Sequence, residues 1–259
     1  MELSLAALPH QLYGLSKVGI VGMPPLAVID ALNRQQVTIH DLDEPLVRVG
    51  IEAASPFLPS VYCAILRTAV VNALNLELDA IFIDTGPGKC DCALHTATIL
   101  ADALPIPVIR TSNTDSIAYG TPLCRANRDL VSRMRAITAG VKSAAPHRES
   151  PPACRPVAGF WGVPPRDFSI LELFPDATHI YGWTRCMENK TPADHGLEAC
   201  CNQEVPTVFF AQSFCAKTAL ARYLAGKHPQ ALYLDADLHT GGSARAKIQA
   251  FLELSGVER

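Results

Sequence analysis

The sequence predicts an α/β protein built as two open, doubly wound parallel-sheet lobes. Three observations predict this class: short apolar runs of strand length, stretches of helical periodicity between them, and a proline-rich break after which the alternation starts again. In the first run, Lys17–Met23 (KVGIVGM) reads as a buried strand, and Pro24-Pro25 opens a helix through Leu32. Leu46–Ile51 reads as a short strand, Leu58–Leu76 as a helix, and Leu78–Asp84 (LDAIFID) as a strand. A helix through Ala103, the strand Ile106–Arg110 and a long helix from Pro122 to Ala139, ending at Gly140, complete the lobe. Residues 141–155 (VKSAAPHRESPPACR) lack periodicity and read as a linker between a lobe at 1–140 and a lobe at 156–259. In the second lobe, strands are expected at Pro156–Trp161, Thr178–Tyr181, Thr207–Ala211 and Ala231–Asp235. Helices are expected at Asp167–Phe174, Pro192–Cys201, Ala216–Ala225 and Ser243–Leu254.

The composition narrows the function. Of 259 residues, 49% are hydrophobic and 18% charged, with a net charge of −3, which is too little charge and the wrong sign for gripping nucleic acid. Apolar runs such as Ile81-Phe82-Ile83 and Val208-Phe209-Phe210 are far shorter than the roughly 20 residues of a membrane-spanning helix. Met1–His10 has neither the basic start nor the apolar core of a signal peptide, so a cytoplasmic location is the expectation. Nine cysteines are then hard to assign to disulfides, and thiolate ligation of a metal becomes the leading chemistry for some of them. The rest read as small core residues.

Two of the cysteines occupy matching stations. Cys90 follows the strand LDAIFID by a short loop and opens a helix; Cys215 follows TVFFA in the same way. Ligands of open parallel sheets collect outside the carboxyl ends of the strands. Helix N-termini there favour anions and thiolates.

Four segments, taken in order, resemble the D-component family of 2-hydroxyacyl-CoA dehydratases and class I benzoyl-CoA reductases. Met23–Leu32 (MPPLAVIDAL) is similar to the family's early helix, Cys63-Ala64-Ile65-Leu66-Arg67 to its Cys-x-x-x-Arg segment, and Lys89-Cys90-Asp91 to its Cys-Asp motif. Ser213-Phe214-Cys215, Leu234-Asp235-Ala236-Asp237 and Ala244–Glu253 resemble its closing Phe-Cys, acidic strand end and final helix. The resemblance covers Lys17 to Leu254, although Val18–Met23 lacks the cysteine that precedes the early helix in many members. It implies one [4Fe–4S] cluster held by Cys63, Cys90 and Cys215 in a cleft between the lobes, with one iron left open. It also implies an oxygen-sensitive redox enzyme or subunit doing low-potential one-electron chemistry of the dehydratase or reductase type. The electron would come from a separate ATP-dependent activator or another low-potential donor. A homodimer or a paralogous second subunit is expected. The alternatives are a non-catalytic cluster carrier, scaffold or accessory subunit, and a metal-free α/β binding protein.

Thiolates are the usual ligands of such clusters, and an open iron is a Lewis acid next to a one-electron store. Each candidate also has a plain structural alternative. Cys63 lies in an apolar helical stretch and reads equally as a core thiol. Cys92 diverges from Cys90 on a helix and reads as packed, and the adjacent Cys200-Cys201 are poorly placed to share one metal. Cys124 and Cys154 read as structural, and Cys186 lies in an apparent loop, Trp183–Asn189. Asp91 suits a first helical turn, Asp235 and Asp237 a strand end, and Gly241-Gly242-Ser243 a turn with Ser243 as helix cap. Gly86-Pro87-Gly88-Lys89-Cys90 does not meet the phosphate-loop pattern. His95, His179, His195 and His239 have no metal-ligand spacing. No catalytic residue is singled out.

Overall fold

The computed structural model describes residues 12–116, 122–236 and 241–257. Met1–His10, Asp237 and His239, named above, lie outside the described residues. The chain divides into two compact units. One is Met1–Ile117 with Val141–Pro146 and Lys190–Ala193, and the other is Ala118–Gly140 with His147–Asn189 and Asp194–Arg259.

The sheet of the first unit contains β1 (Lys17–Val21), β2 (Thr38–Asp41), β3 (Ala80–Asp84) and β4 (Val108–Thr111), in the order β2-β1-β3-β4 and parallel throughout. Helices α1 (Leu26–Arg34), α2 (Ala64–Asn75) and α3 (Asp91–Ala103) connect the strands. Every residue of β3 is buried, as a central parallel strand covered on both faces requires. Helix α1 begins after two prolines with no cap from its own segment; Asp115, beyond β4, accepts the Leu26 N–H at 2.8 Å instead.

The second unit repeats the plan. Its strands β5 (Ala158–Gly162), β6 (Thr178–Tyr181), β7 (Thr207–Gln212) and β8 (Ala231–Ala236) form a parallel sheet in the order β6-β5-β7-β8. The helices are α4 (Leu130–Gly140), α5 (Trp183–Asn189), α6 (His195–Ala199), α7 (Lys217–Lys227) and α8 (Gly242–Leu254). Trp161, Phe209, Ala211 and Ala221 form one buried centre between this sheet and α7.

Several boundaries differ from the sequence expectation. Leu46–Ile51 is not a strand; the paired strand is the polar Thr38–Asp41, at the edge of its sheet. The expected long helix from Pro122 is a short 3-10 turn, Leu123–Arg125, followed by α4. Asp167–Phe174 forms a 3-10 segment, Phe168–Leu173, and the expected Pro192–Cys201 helix shortens to α6. Trp183–Asn189 is helical rather than a loop. Gly241, not Ser243, stands at the N-cap of α8. Helix α4 groups with the second unit instead of ending the first, because its buried Arg133 donates to the Thr178 and Asp176 carbonyls at 2.7 and 2.9 Å.

Among the described residues no helix is long and apolar enough to cross a membrane.

Candidate functional site

Both sheets share one strand order, so both reverse direction at the same place. After β1 the chain first adds β2 on one side and then β3 on the other; β5, β6 and β7 do the same. The gap outside the carboxyl ends of the first and third strands is where such folds bind ligands. Cys90 lies in the loop leaving β3, and Cys215 in the loop leaving β7. The two thiols therefore occupy equivalent stations.

In the first unit, Cys90 is the N-cap of α3 and Cys63 the N-cap of α2. Cys63 is thus at a helix entrance, not inside the helix as its apolar neighbours suggest. Arg67 explains how that entrance is held. It lies one turn further on, is buried, and donates to the Ser60 and Ile51 carbonyls, both at 3.2 Å. This ties down the long loop that delivers Cys63. Asn72 does the same further back, donating to the Leu42 carbonyl at 2.9 Å and the Glu44 carbonyl at 2.6 Å. The Tyr62 hydroxyl donates to the Cys92 carbonyl at 3.1 Å, so the chain beside Cys63 meets the first turn of α3. Burial, with the Cys92 side chain alongside, pushes the Tyr62 hydroxyl up to about 12.

Beneath Cys90 is an ionic group that sequence reasoning missed. Asp84, at the end of β3, is buried; its Oδ1 accepts from the N–H groups of Gly86 (3.2 Å) and Asn113 (3.0 Å). Its Oδ2 lies 3.2 Å from Lys89 Nζ, in a pair whose side chains are 9% and 0% exposed. Asp43 Oδ2 accepts the Gly22 N–H at 2.9 Å at the end of β1, and the Lys89 charge also acts on this carboxyl. Burial pushes Asp43 up to about 6 and raises Asp84 against the pull of Lys89. Burial, with Asp43 and Glu44 alongside, raises Asp41 well above the usual carboxylate range. Lys89 thus fastens the Gly86–Cys90 turn to the end of its own strand. The partners come from three separate strand exits, so no sequence spacing reveals them.

In the second unit, Cys215 immediately precedes Ala216, the N-cap of α7. Its N–H donates to the Gln212 carbonyl at 3.0 Å, closing a tight turn in which Phe214 has φ of +63°. Ser213 Oγ donates to Asp235 Oδ1 at 3.0 Å, and the Gln212 amide donates to the Ala236 carbonyl at 3.0 Å, which anchors the turn to β8. Lys217 pairs with Glu198 and lies over the Trp183 ring at 4.2 Å from its centroid. Trp161 Nε1 donates to the Glu198 carbonyl at 2.9 Å.

No disulfide joins any of the nine cysteines. Cys63 is buried, and Cys90 and Cys215 are half-buried. The thiol chemistry and the helix N-termini suit an anionic thiolate–metal assembly. Among the described residues, however, no group of three or more His, Cys, Asp or Glu side chains is arranged to hold a metal ion. Cys63 and Cys90 belong to the first unit and Cys215 to the second. Asp91 lies in the first turn of α3, while Cys124 and Cys186 are buried. Compared with protein-family models and with curated proteins, the chain matches none.

Proposed function

We propose that this chain is an iron–sulfur redox protein of the dehydratase or reductase type, with Cys63, Cys90 and Cys215 as ligands of a [4Fe–4S] cluster. The observation that supports this most is the equivalence of Cys90 and Cys215, each at the helix entrance after the third strand of a sheet with the same strand order. Cys63 adds a third thiol at a helix N-terminus. When bound, such a cluster supplies single electrons and, with only three thiolate ligands, an iron with an open position.

The chain's own residues would then do three things. The helix N-termini of α2, α3 and α7 place backbone N–H groups where thiolate charge accumulates. Arg67 and Lys89 would hold the loops carrying Cys63 and Cys90. Lys217, two residues beyond Cys215, holds the start of α7 through its pair with Glu198 and its contact with the Trp183 ring. The electron would be delivered by an external low-potential donor.

The test is anaerobic reconstitution with iron and sulfide. The reading expects a brown, oxygen-sensitive protein carrying about four irons per chain. A colourless protein that retains no iron would end it. Turnover with a strong reductant and candidate acyl substrates then separates an enzyme from a cluster carrier.

A further inference from the structure

The second unit carries two thiols in direct succession, Cys200 and Cys201, in the loop between α6 and β7, and the cluster reading uses neither. Their settings differ. Cys200 is exposed and stands at the C-cap of α6, with φ of −69°, ψ of 134° and its N–H donating to the Leu197 carbonyl at 3.3 Å. Cys201 is half-buried and packs against the centre formed by Trp161, Phe209, Ala211 and Ala221. Its Sγ accepts a hydrogen bond from the Gln203 side-chain amide at 3.1 Å. Burial and the neighbouring Cys200 push the Cys201 thiol up, against the pull of Gln203. The Tyr181 hydroxyl, pushed up to about 12 chiefly by burial, feels the charge of both thiols.

These settings give the two sulfurs different parts in a thiol–disulfide exchange. The exposed thiol, Cys200, meets a reagent first. A Cys200 thiolate opposes a second thiolate beside it by like charge. Once capped as a mixed disulfide, Cys200 carries no charge, and the Gln203 amide remains to support a Cys201 thiolate. Cys201 is therefore placed to resolve the mixed disulfide rather than to start the exchange. The bond between them is a strained one. The peptide joining them is trans, which holds their Cα atoms about 3.8 Å apart, closer than the roughly 4.4 Å at which ordinary disulfides begin. Strain makes a disulfide easier to reduce, so this one suits a reversible signal and not a staple. Closing the ring also draws the Cys201 sulfur off the Trp161 centre and turns the end of α6, where the Glu198 carbonyl accepts from Trp161 Nε1 at 2.9 Å.

We propose that Cys200 and Cys201 form a reversible vicinal disulfide when the chain meets a small-molecule disulfide, with Cys200 attacking and Cys201 resolving. First the Cys200 sulfur attacks one sulfur of RS–SR. The S–S bond breaks, a Cys200–SR bond forms, and RS⁻ leaves. The Cys201 sulfur then attacks the Cys200 sulfur. The Cys200–SR bond breaks, the Cys200–Cys201 bond forms, and a second RS⁻ leaves. The two thiol protons end on the two RS⁻ groups. The reagent gains two electrons and the protein pair loses two, so the exchange needs no other reactant.

The test uses the full chain, fully reduced, freed of metal by a chelator and then of reductant, and exposed to oxidised glutathione. After acid quenching and alkylation, cleavage after glutamate releases residues 199–204 (ACCNQE), which hold both thiols and no other cysteine. This peptide should appear unalkylated and two hydrogens lighter, and reduced glutathione should reverse the change. Tryptophan fluorescence should shift and return in step. Cys201→Ser should stop at a Cys200–glutathione adduct. Cys200→Ser should react about tenfold more slowly, because only the half-buried thiol is left. Should the Cys201 variant fail to fold, the peptide from the unmutated chain decides alone. A peptide that stays doubly alkylated while other thiols of the chain oxidise, glutathione on both cysteines, or a disulfide from either one to a third cysteine would overturn the proposal. None of these readouts depends on whether Cys63, Cys90 and Cys215 bind iron.

Discussion

The two units build the same strand order and put a cysteine at the same station, yet they hold that station by different chemistry. In the first, a buried lysine–carboxylate group ties the turn before Cys90 to the ends of β1 and β3. In the second, backbone turns, a Ser213–Asp235 hydrogen bond and a strained Phe214 shape the approach to Cys215, and the cation of Lys217 is shared with Trp183 and Glu198. Topology fixes where a ligand group emerges from a parallel sheet. The loops decide how rigidly, and at what electrostatic cost, it is held.

The difference yields an ordered set of outcomes. The largest is expected at the turn itself. Gly88 has φ of +82°, and a Cβ there would stand 2.0 Å from the Pro192 carbonyl oxygen. Gly88→Ala therefore combines left-handed backbone strain with a backbone clash and should cost about 3 kcal/mol or more in urea unfolding. Next come the two ion pairs. Lys89→Met leaves Asp84 charged and buried and should cost about 3 kcal/mol. Lys217→Met, in a pair whose lysine is 21% exposed, should cost about 1 kcal/mol. Equal losses would mean that the two stations are not held differently.

A pH effect sharpens the contrast further. Asp43 is pushed up to about 6, above the roughly 3.9 of an unfolded chain, so the folded protein binds more protons between these values. Its contribution is fully present below about 4 and is lost as the pH rises through about 6. Asp43→Asn should flatten this decline and raise stability at neutral pH by up to about 3 kcal/mol, as read from urea midpoints across that range. A slope identical to that of the unmutated protein would show that Asp43 ionises without penalty. The smallest effect is expected at Phe214→Gly, which relieves a positive φ at an exposed side chain and should be neutral or stabilising by about 1 kcal/mol.

Much of this arrangement was legible in the sequence. Among the described residues, seven of the eight strands follow from apolar runs such as AIFID and TVFFAQ, because buried parallel strands are hydrophobic on both faces. Thr38–Asp41 (TIHD) escaped because an edge strand needs fewer apolar residues, and Leu46–Ile51 offered a more hydrophobic but unpaired decoy. Helix α5 escaped because seven residues span too few turns to show a period. The stations of Cys90 and Cys215 follow from strand–loop–helix order alone. Cys63 is less legible: its apolar neighbours suggest a helix from Leu58, whereas the helix begins at Ala64, and only the folded Arg67 contacts show that it begins after Cys63. The Asp43–Asp84–Lys89 group joins residues remote in sequence, and such meetings leave no local pattern.

The central claim is that Cys90 and Cys215 act as equivalent ligands of one cluster. Iron and acid-labile sulfide per chain, measured after anaerobic reconstitution of the unmutated protein and its Cys90→Ser, Cys215→Ser and Cys200→Ser variants, test it most directly. The account predicts that the first two variants lose the cluster to the same degree while Cys200→Ser keeps it. Full iron content in either the Cys90 or the Cys215 variant would contradict it.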